Sequence, residues 1–484
     1  MNKIFYISLL LITILFSGCS DDGKPYYPPP SLSTNGNVVG TAQVWVTSGD
    51  KSRLIAPQQD IDIIDNTTTD YLSITVDASE KYQEIEGFGA ALTGSSAYVI
   101  NHMSSTQKMA LLQELFDSEN GIGISYLRLT IGASDFSLSD YTYDDMPSGQ
   151  TDTNLDNFSI APDQVNVIPV LQDILNYNSE VKILGSPWSA PAWMKTNQSL
   201  YGGELQTQYY QVYANYFKEY IEAYASNGIT IDAITPQNEP LHESNYPTMK
   251  MEAVDQANFI KTALGPTFIN NGITAKIIAY DHNFDVPSYP LTVLEDTDAN
   301  QYVSGSAFHA YAGDVYVMSQ VYNAYPDKGV YFTEISGGEW STDFTSNLNW
   351  YVRNILIGSI RNYSKNVLFW NLALNDSYGP TNNGCTDCRG VVTVSSSGSV
   401  NYNEEYYAIA HFSKFVEPSA YRISSTTFDS STGLSNVAFE NPDGGKILVV
   451  LNESPSTKTF SVIVGDNRFD YTIPQESVAT IIWD

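Results

Sequence analysis

A chain of 484 residues with 23 Lys and Arg against 54 Asp and Glu carries a formal charge of −31 at pH 7. A surface this acidic repels phosphate backbones and anionic lipid, so nucleic acid is excluded as a partner and a membrane is reached only through a dedicated anchor. The length accommodates one large barrel and one smaller domain, and the 34 Tyr and 7 Trp suit a neutral ligand with flat apolar faces, such as a sugar.

The first residues read as an export signal. Lys3 precedes an apolar run from Ile4 to Phe16, and the run closes on LFSGC at Cys19. It falls short of the roughly 18 residues of a transmembrane helix. The pattern resembles a bacterial lipoprotein signal over 1–19, in which cleavage leaves Cys19 as the lipidated first residue. Ser20, Asp21 and Asp22 resemble the acidic surface-export signals of Bacteroidetes lipoproteins. The expected location is the cell surface or outer membrane, a periplasm-facing orientation being the alternative. Residues 20–40 are rich in Pro, Gly, Ser and Asn and lack periodicity, as an extended linker does. TAQVWVT (41–47) and YLSITV (71–76) then alternate like half-buried strands that need partners from elsewhere.

From about residue 84 apolar, β-branched runs recur, each followed by turn residues and then a helical pattern. Strands are expected within 84–93, 125–132, 181–191, 231–240, 275–283, 303–313, 329–338 and 365–376. Residues 207–228 have apolar side chains at helical spacing and stop at Gly228. Eight β-then-α units predict an α/β fold, a (β/α)8 barrel over 81–416. A doubly wound sheet is the alternative, but no Gly-rich phosphate fingerprint follows the first strand. After the helix over 403–416 come five short strands, at 421–426, 434–440, 446–452, 458–464 and 477–483. With exposed edges, they are expected to join the two N-terminal strands in a β-sandwich built from 41–80 and 417–484.

Strand ends are where a barrel places its chemistry. TPQNEP (235–240) holds Asn238 and Glu239 between Pro236 and Pro240, just past the fourth strand, and Glu334 closes the seventh in GVYFTEISGG. A lone strand-end carboxylate often only caps a helix or binds water. Two that converge across a barrel mouth point to glycoside hydrolysis by paired carboxylates.

GFGAALTGSSA (87–97), LRLTIGASDFS (127–137), GSPWSAPAWMK (185–195), TPQNEP, FHAY (308–311), FTEISGG and WNLALN (370–375) occur in this order. Together they resemble the motifs of glycoside hydrolase family 30, which includes lysosomal glucosylceramidase and β-glucanases. HFSKFV with Pro418 and Arg422 is similar to the family's barrel-to-sandwich junction. The resemblance implies a retaining enzyme with Glu239 as acid/base and Glu334 as nucleophile, their carboxyls about 5–5.5 Å apart. On that reading the charge of Glu334 raises the pKa of Glu239 until the nucleophile is esterified. Asn238 is the implied ligand of the sugar 2-hydroxyl. Arg128 is expected to keep Glu334 ionised. Asp135, Trp188 and Trp370 are implied to hold the sugar in the cleavage subsite, and Tyr311 to bond near the nucleophile. His309 is set among the substrate-binding residues, with a purely structural histidine as its alternative. Trp340, past the nucleophile loop, is a candidate wall of a leaving-group subsite.

Cys385 and Cys388 form CTDC after the eighth strand. A zinc site needs about four ligands and no second Cys pair exists. Nothing nearby suggests a thioredoxin unit, so in an exported protein a local disulfide is the preferred reading. This loop departs from glucosylceramidase, and lipid specificity is not carried over.

The expected function is a retaining endo-β-1,6-glucanase acting on an external β-glucan. An exo-β-glucosidase or glucosylceramidase, or a xylanase, is the alternative within the family. A surface glycan-binding lipoprotein is the alternative outside catalysis. Neither metal nor cofactor is expected, because two carboxylates supply acid, base and nucleophile. The chain is expected to be a monomer.

Overall fold

The computed structural model describes residues 36–484; the signal, Cys19 and the linker as far as residue 35 lie outside the described residues. Eight parallel strands close into a barrel: Gly87–Ala91, Tyr126–Ile131, Lys182–Pro187, Ala233–Ile234, Lys276–Asn283, Val303–His309, Gly329–Glu334 and Ser364–Phe369. All eight lie where the apolar runs placed them. Their sequences are apolar on both faces because one face fills the barrel and the other meets the helices. Tyr126, Leu184, Ala233, Ile278, Ala307, Tyr331 and Leu368 fill the interior. The fourth strand is only two residues long, so Glu239 stands on the loop beyond it rather than at its end.

The helix expected over 207–228 runs Tyr210–Ala225, after a short 3-10 turn at Thr207–Tyr209. Tyr210, Tyr213, Phe217, Tyr220 and Tyr224 form its buried stripe. Gly228 follows with φ +78°, a left-handed conformation that favours glycine after a helix. No helix among the described residues is long and apolar enough to cross a membrane.

The second domain is one sheet folded back on itself. Val38–Ser48, Ser477–Trp483, Lys446–Asn452, Leu434–Glu440, Tyr421–Ser425, Leu72–Glu84, Lys458–Val464 and Asn467–Ile473 follow one another in that order. Ile61–Ile64 pairs with both the first and the last of these and joins the two ends. Ala56–Pro57 adds a short edge. All seven expected strands are present, and three were not foreseen. Ile61–Ile64 and Ala56–Pro57 are too short to show alternation. Asn467–Ile473 hides its pattern under Arg468 and Asp470, a buried ion pair at 3.1 Å. The first strand begins inside the segment read as linker, at Val38, and Leu72–Glu84 runs past residue 80.

The two domains share their packing. In Lys446–Asn452, Leu448 and Val450 enter the sandwich core, whereas Ile447, Val449 and Leu451 enter the barrel's. A strand with period-two side chains thus faces two cores, which is why KILVVLN is apolar without a break. The helix Glu404–Ser413 fills the seam. Its Phe412 meets Phe88 of the first barrel strand at 5.5 Å and Phe439 of the sandwich at 6.2 Å. The Thr480 hydroxyl donates to the His411 carbonyl at 2.9 Å, so the His411 Nδ1–H is the donor to Thr480 Oγ1 at 2.8 Å. Burial pushes the His411 ring down to about 3, so it stays neutral.

Phe439→Ala is expected to cost about 3–5 kcal/mol by leaving a cavity in the seam. Calorimetry should show a single unfolding transition at lower temperature. Two separate transitions in the wild type would mean that the domains fold independently.

Candidate active site

Arg128, on the second strand, points into the barrel mouth and is completely buried. Its Nη1 bonds Glu334, and its Nη2 donates to Asn238 Oδ1 at 2.6 Å and to Asp281 Oδ2 at 2.8 Å. Trp188 and Trp370 stack at 5.1 Å, and the guanidinium lies 5.0 and 5.5 Å from their ring centres. A buried cation is costly unless paired. Here two carboxylates, an amide and two π faces surround it.

Asp281 is the hub of the site. In the fifth strand, Tyr280 pairs with Ala307 and His282 with Phe308, which leaves Asp281 as the bulged residue. Tyr280 and Asp281 both have left-handed backbones, at φ +76° and +66°. The bulge turns the Asp281 carboxylate inward, as bulges beside active sites do. Its Oδ2 accepts from Arg128, from Ser186 at 2.7 Å and from Thr235 at 2.7 Å. Its Oδ1 accepts from Thr333 at 2.7 Å and lies 3.1 Å from His309 Nε2. Burial opposes ionisation, but Arg128, His309 and Thr333 hold the carboxyl well below the usual range.

Glu239 is oriented by the same bulge. Its N–H donates to the Asp281 carbonyl at 2.9 Å, and its φ of +42° is strained for a residue with a side chain. His309 Nδ1 lies 3.1 Å from Glu239 Oε1 and 4.0 Å from Glu334 Oε1. Burial alone would strip the His309 proton, but Glu334, Asp281 and Glu239 hold the ring up at about 9. At neutral pH it is an imidazolium that donates from both nitrogens. One oxygen of each catalytic-site glutamate and a His309 nitrogen all lie within 4.8 Å of one another. Among the described residues these three are the one such group spaced to share a metal ion, and a protonated His309 has no lone pair to offer it. The Tyr311 hydroxyl donates to Glu334 Oε1 at 2.9 Å.

Residues 85–416 match the glycosyl hydrolase family 30 TIM-barrel domain and 419–481 the family 30 β-sandwich domain. The chain belongs to glycoside hydrolase family 30. An endo-1,6-β-D-glucanase of Aspergillus fumigatus is 36% identical over 459 residues, covering 89% of this chain and 91% of its own. The lysosomal acid glucosylceramidase of Mus musculus is 30% identical over 441 residues, covering 86% of this chain and 84% of its own. Among solved structures, an endo-β1,6-glucanase superposes with TM-score 0.85 at 35% identity, covering 92% of this chain and 99% of that one.

The family 30 barrel brings Arg128, Asn238, Glu239, His309, Tyr311, Glu334, Trp188 and Trp370 together at one mouth. Asp135 joins them through space: burial and the facing Glu334 and Glu239 push its carboxyl well above the usual range. With Asn238 Oδ1 bound by Arg128, its Nδ2–H2 is the group left for a ligand. Trp340 is 59% exposed on the rim. Its ring lies over Gly338, where a Cβ would come within 2.0 Å of it. Gly338 pairs with Cys388, and Cys388 is disulfide-bonded to Cys385 across a Cα separation of 5.6 Å. The same loop seats on Asp135, whose carbonyl accepts from the Asn382 N–H at 2.7 Å.

Three expectations are corrected. His309 does not present itself to a ligand: it is fully buried and both ring nitrogens are spent on Glu239 and Asp281. Trp188 and Trp370 are only 2% and 4% exposed, because each gives a face to the other, so a sugar meets a small remainder of either ring. At Glu239 the His309 proton, rather than the charge of Glu334, is the leading electrostatic influence after burial. Burial works against ionisation of Glu239, but the His309 imidazolium draws its carboxyl below the usual range. Burial and the charge of Glu239 push Glu334 up, against His309, Arg128 and Tyr311. Asp281, Ser186, Thr235 and Thr333 were missed. Asp281 lies near the C-terminal end of a barrel strand, and reading every strand end, not only the two in strong motifs, would have found it.

The His309 proton makes stability depend on pH in a definite sense. Its contribution is complete below the ordinary histidine value of about 6.5 and is lost as the pH rises through about 9. Thermal unfolding followed from pH 6 to 10 should show this decline. Asp281→Asn, which removes one of the facing carboxylates, should move the decline to lower pH.

Proposed function

We propose that the chain is an endo-acting β-1,6-glucanase that hydrolyses its substrate with retention by double displacement. The observation that carries the mechanism is the proximity of Glu239 and Glu334, with oxygens within 4.8 Å of each other. Retaining enzymes hold their carboxyls about 5–5.5 Å apart, whereas inverting ones leave about 6.5–9.5 Å for a water. The linkage rests on the named activity of the Aspergillus relative and of the solved structure. Glucosylceramidase relatives share the barrel at lower identity and make lipid cleavage the second reading.

In the first half, Glu334 attacks the anomeric carbon and the proton held between His309 Nδ1 and Glu239 Oε1, 3.1 Å apart, passes through Glu239 to the departing oxygen. The glycosyl ester that forms removes the charge of Glu334. In the second half Glu239 takes a proton from water, which attacks the same carbon and releases Glu334. Arg128 and Tyr311 stabilise the Glu334 carboxylate as it leaves. Asn238 Nδ2 donates to the 2-hydroxyl, Asp135 binds hydroxyls at the far side of the ring, and Trp188 and Trp370 wall the subsite. Trp340 is the platform for the leaving-group sugar, in keeping with cleavage inside a chain. The lipoprotein pattern ending at Cys19 supports tethering at the cell surface or outer membrane, where an external glucan is within reach.

Purified wild type and Glu334→Gln are to be compared on pustulan, laminarin, xylan and glucosylceramide. A ladder of β-1,6-linked oligosaccharides from pustulan is expected, falling by about 10³-fold or more in the variant. Glucose alone from pustulan would replace the endo assignment by an exo one. Activity confined to the lipid or to xylan would replace the linkage.

A further inference from the structure

Glu239 has two tasks that conflict. It must carry a proton when the leaving group departs and must lack one when water attacks. The group that decides between these states is neither glutamate. His309 sits between them, with Nδ1 3.1 Å from Glu239 and 4.0 Å from Glu334. Behind it, Asp281 takes Nε2 at 3.1 Å and is itself fixed by Arg128 and three hydroxyls. The ring is fully buried and cannot exchange Asp281 for water.

We infer that Asp281 and His309 form a positioning pair that holds Glu239 ionised on the glycosyl-enzyme, which commits it to the base half of the reaction. The inference rests on the double-displacement reading given above. Before esterification the His309 charge is shared between Glu239 and Glu334. Once Glu334 is an ester it has no charge, and the imidazolium faces Glu239 as its one anionic partner on that side. The remaining titratable groups around Glu239 are Asp135, whose carboxyl is pushed up, the phenols Tyr246, Tyr280 and Tyr311, and the imidazoles His242 and His282, of which His282 is buried and pushed down to about 4. Around His309 they are Glu334, Asp281, the His282 ring at 6.4 Å and the Tyr311 ring at 6.2 Å. His282, held neutral by its burial, supplies no second positive charge. In the step concerned, water oxygen bonds to the anomeric carbon, the bond from that carbon to Glu334 breaks with its electron pair returning to Glu334, and the water proton goes to Glu239.

His309→Asn places a neutral amide donor near the position of Nδ1, keeping the hydrogen bond while removing the charge. The probe is 2,4-dinitrophenyl β-gentiobioside, whose leaving group needs no proton, so that kcat reports the second half-reaction. At pH 5 the variant is expected to show a burst of dinitrophenolate, with kcat down by at least about tenfold and KM down as well, because kcat/KM falls by less, only as far as the lost His309 charge weakens Glu334 as nucleophile. Azide, which attacks without a base, should restore kcat and yield the glycosyl azide. A loss of kcat/KM equal to that of kcat, with no burst and no azide rescue, would overturn the inference and leave His309 a structural residue. The wild type supplies a check that needs no variant. The acid limb of its kcat on this substrate should fall below the ordinary glutamate value of about 4.3, and a limb above it would overturn the inference. Trapping of wild type by a 2-fluoro-gentiobiosyl fluoride separates this from the parent reading. No covalent adduct on Glu334 would overturn both, whereas an adduct with an unshifted limb overturns only the pair.

Discussion

The mouth of the barrel depends on one buried carboxylate. Asp281 receives hydrogen bonds from residues on or just past the second, third, fourth, sixth and seventh strands, and itself comes from the fifth. Six of eight strand ends are thereby tied to one point. An ionised carboxylate without water is among the costliest groups a protein can bury, and it is tolerable only when its lone pairs are met by donors and its charge by cations. Arg128 and His309 satisfy the charge while three hydroxyls complete the shell. Each of these donors also serves a second partner, so the cost of burying Asp281 is offset by orienting everything around it. Arg128 is directed to Glu334 and Asn238, and His309 to Glu239.

The arrangement also divides the charges of a strongly acidic chain. With 54 acidic residues against 23 basic, the chain has too few cations to give each carboxylate one of its own. At the mouth two buried cations face Asp281, Glu239 and Glu334, so that a cluster of carboxylates is held at close range without ejecting one another. Asp135 lies near Glu334 and Glu239, and burial together with their charge pushes its carboxyl up. Burial works against the charge of every one of these carboxyls, and the direction in which each is moved depends on the charged groups around it.

Much of the fold was legible because its physics is local. An apolar run flanked by Gly, Pro and Asn marks a strand whether or not its neighbours are known, and eight such runs interleaved with helical patterns leave few architectures. Glu239 and Glu334 were legible for the same reason, since their rigid flanks and position after apolar strands mark them. The strands that escaped lack any local signal: Ile61–Ile64 is short, and Asn467–Ile473 buries an ion pair that reads as surface. Asp281 escaped because a bulge reverses which face a residue occupies, and period-two counting assigns such a residue to the wrong side.

By itself, then, the sequence determined the architecture, the family and the convergence of Glu239 and Glu334 at one mouth, all properties carried by patterns within short stretches and by their order. Only the tertiary structure decided which charged groups face each glutamate. It also decided that His309 serves Glu239 rather than a ligand, and that Trp188 and Trp370 spend much of their surface on each other. Those outcomes are sums over groups brought together from distant parts of the chain, and Coulombic and desolvation energies depend on separations in space that no spacing in sequence encodes.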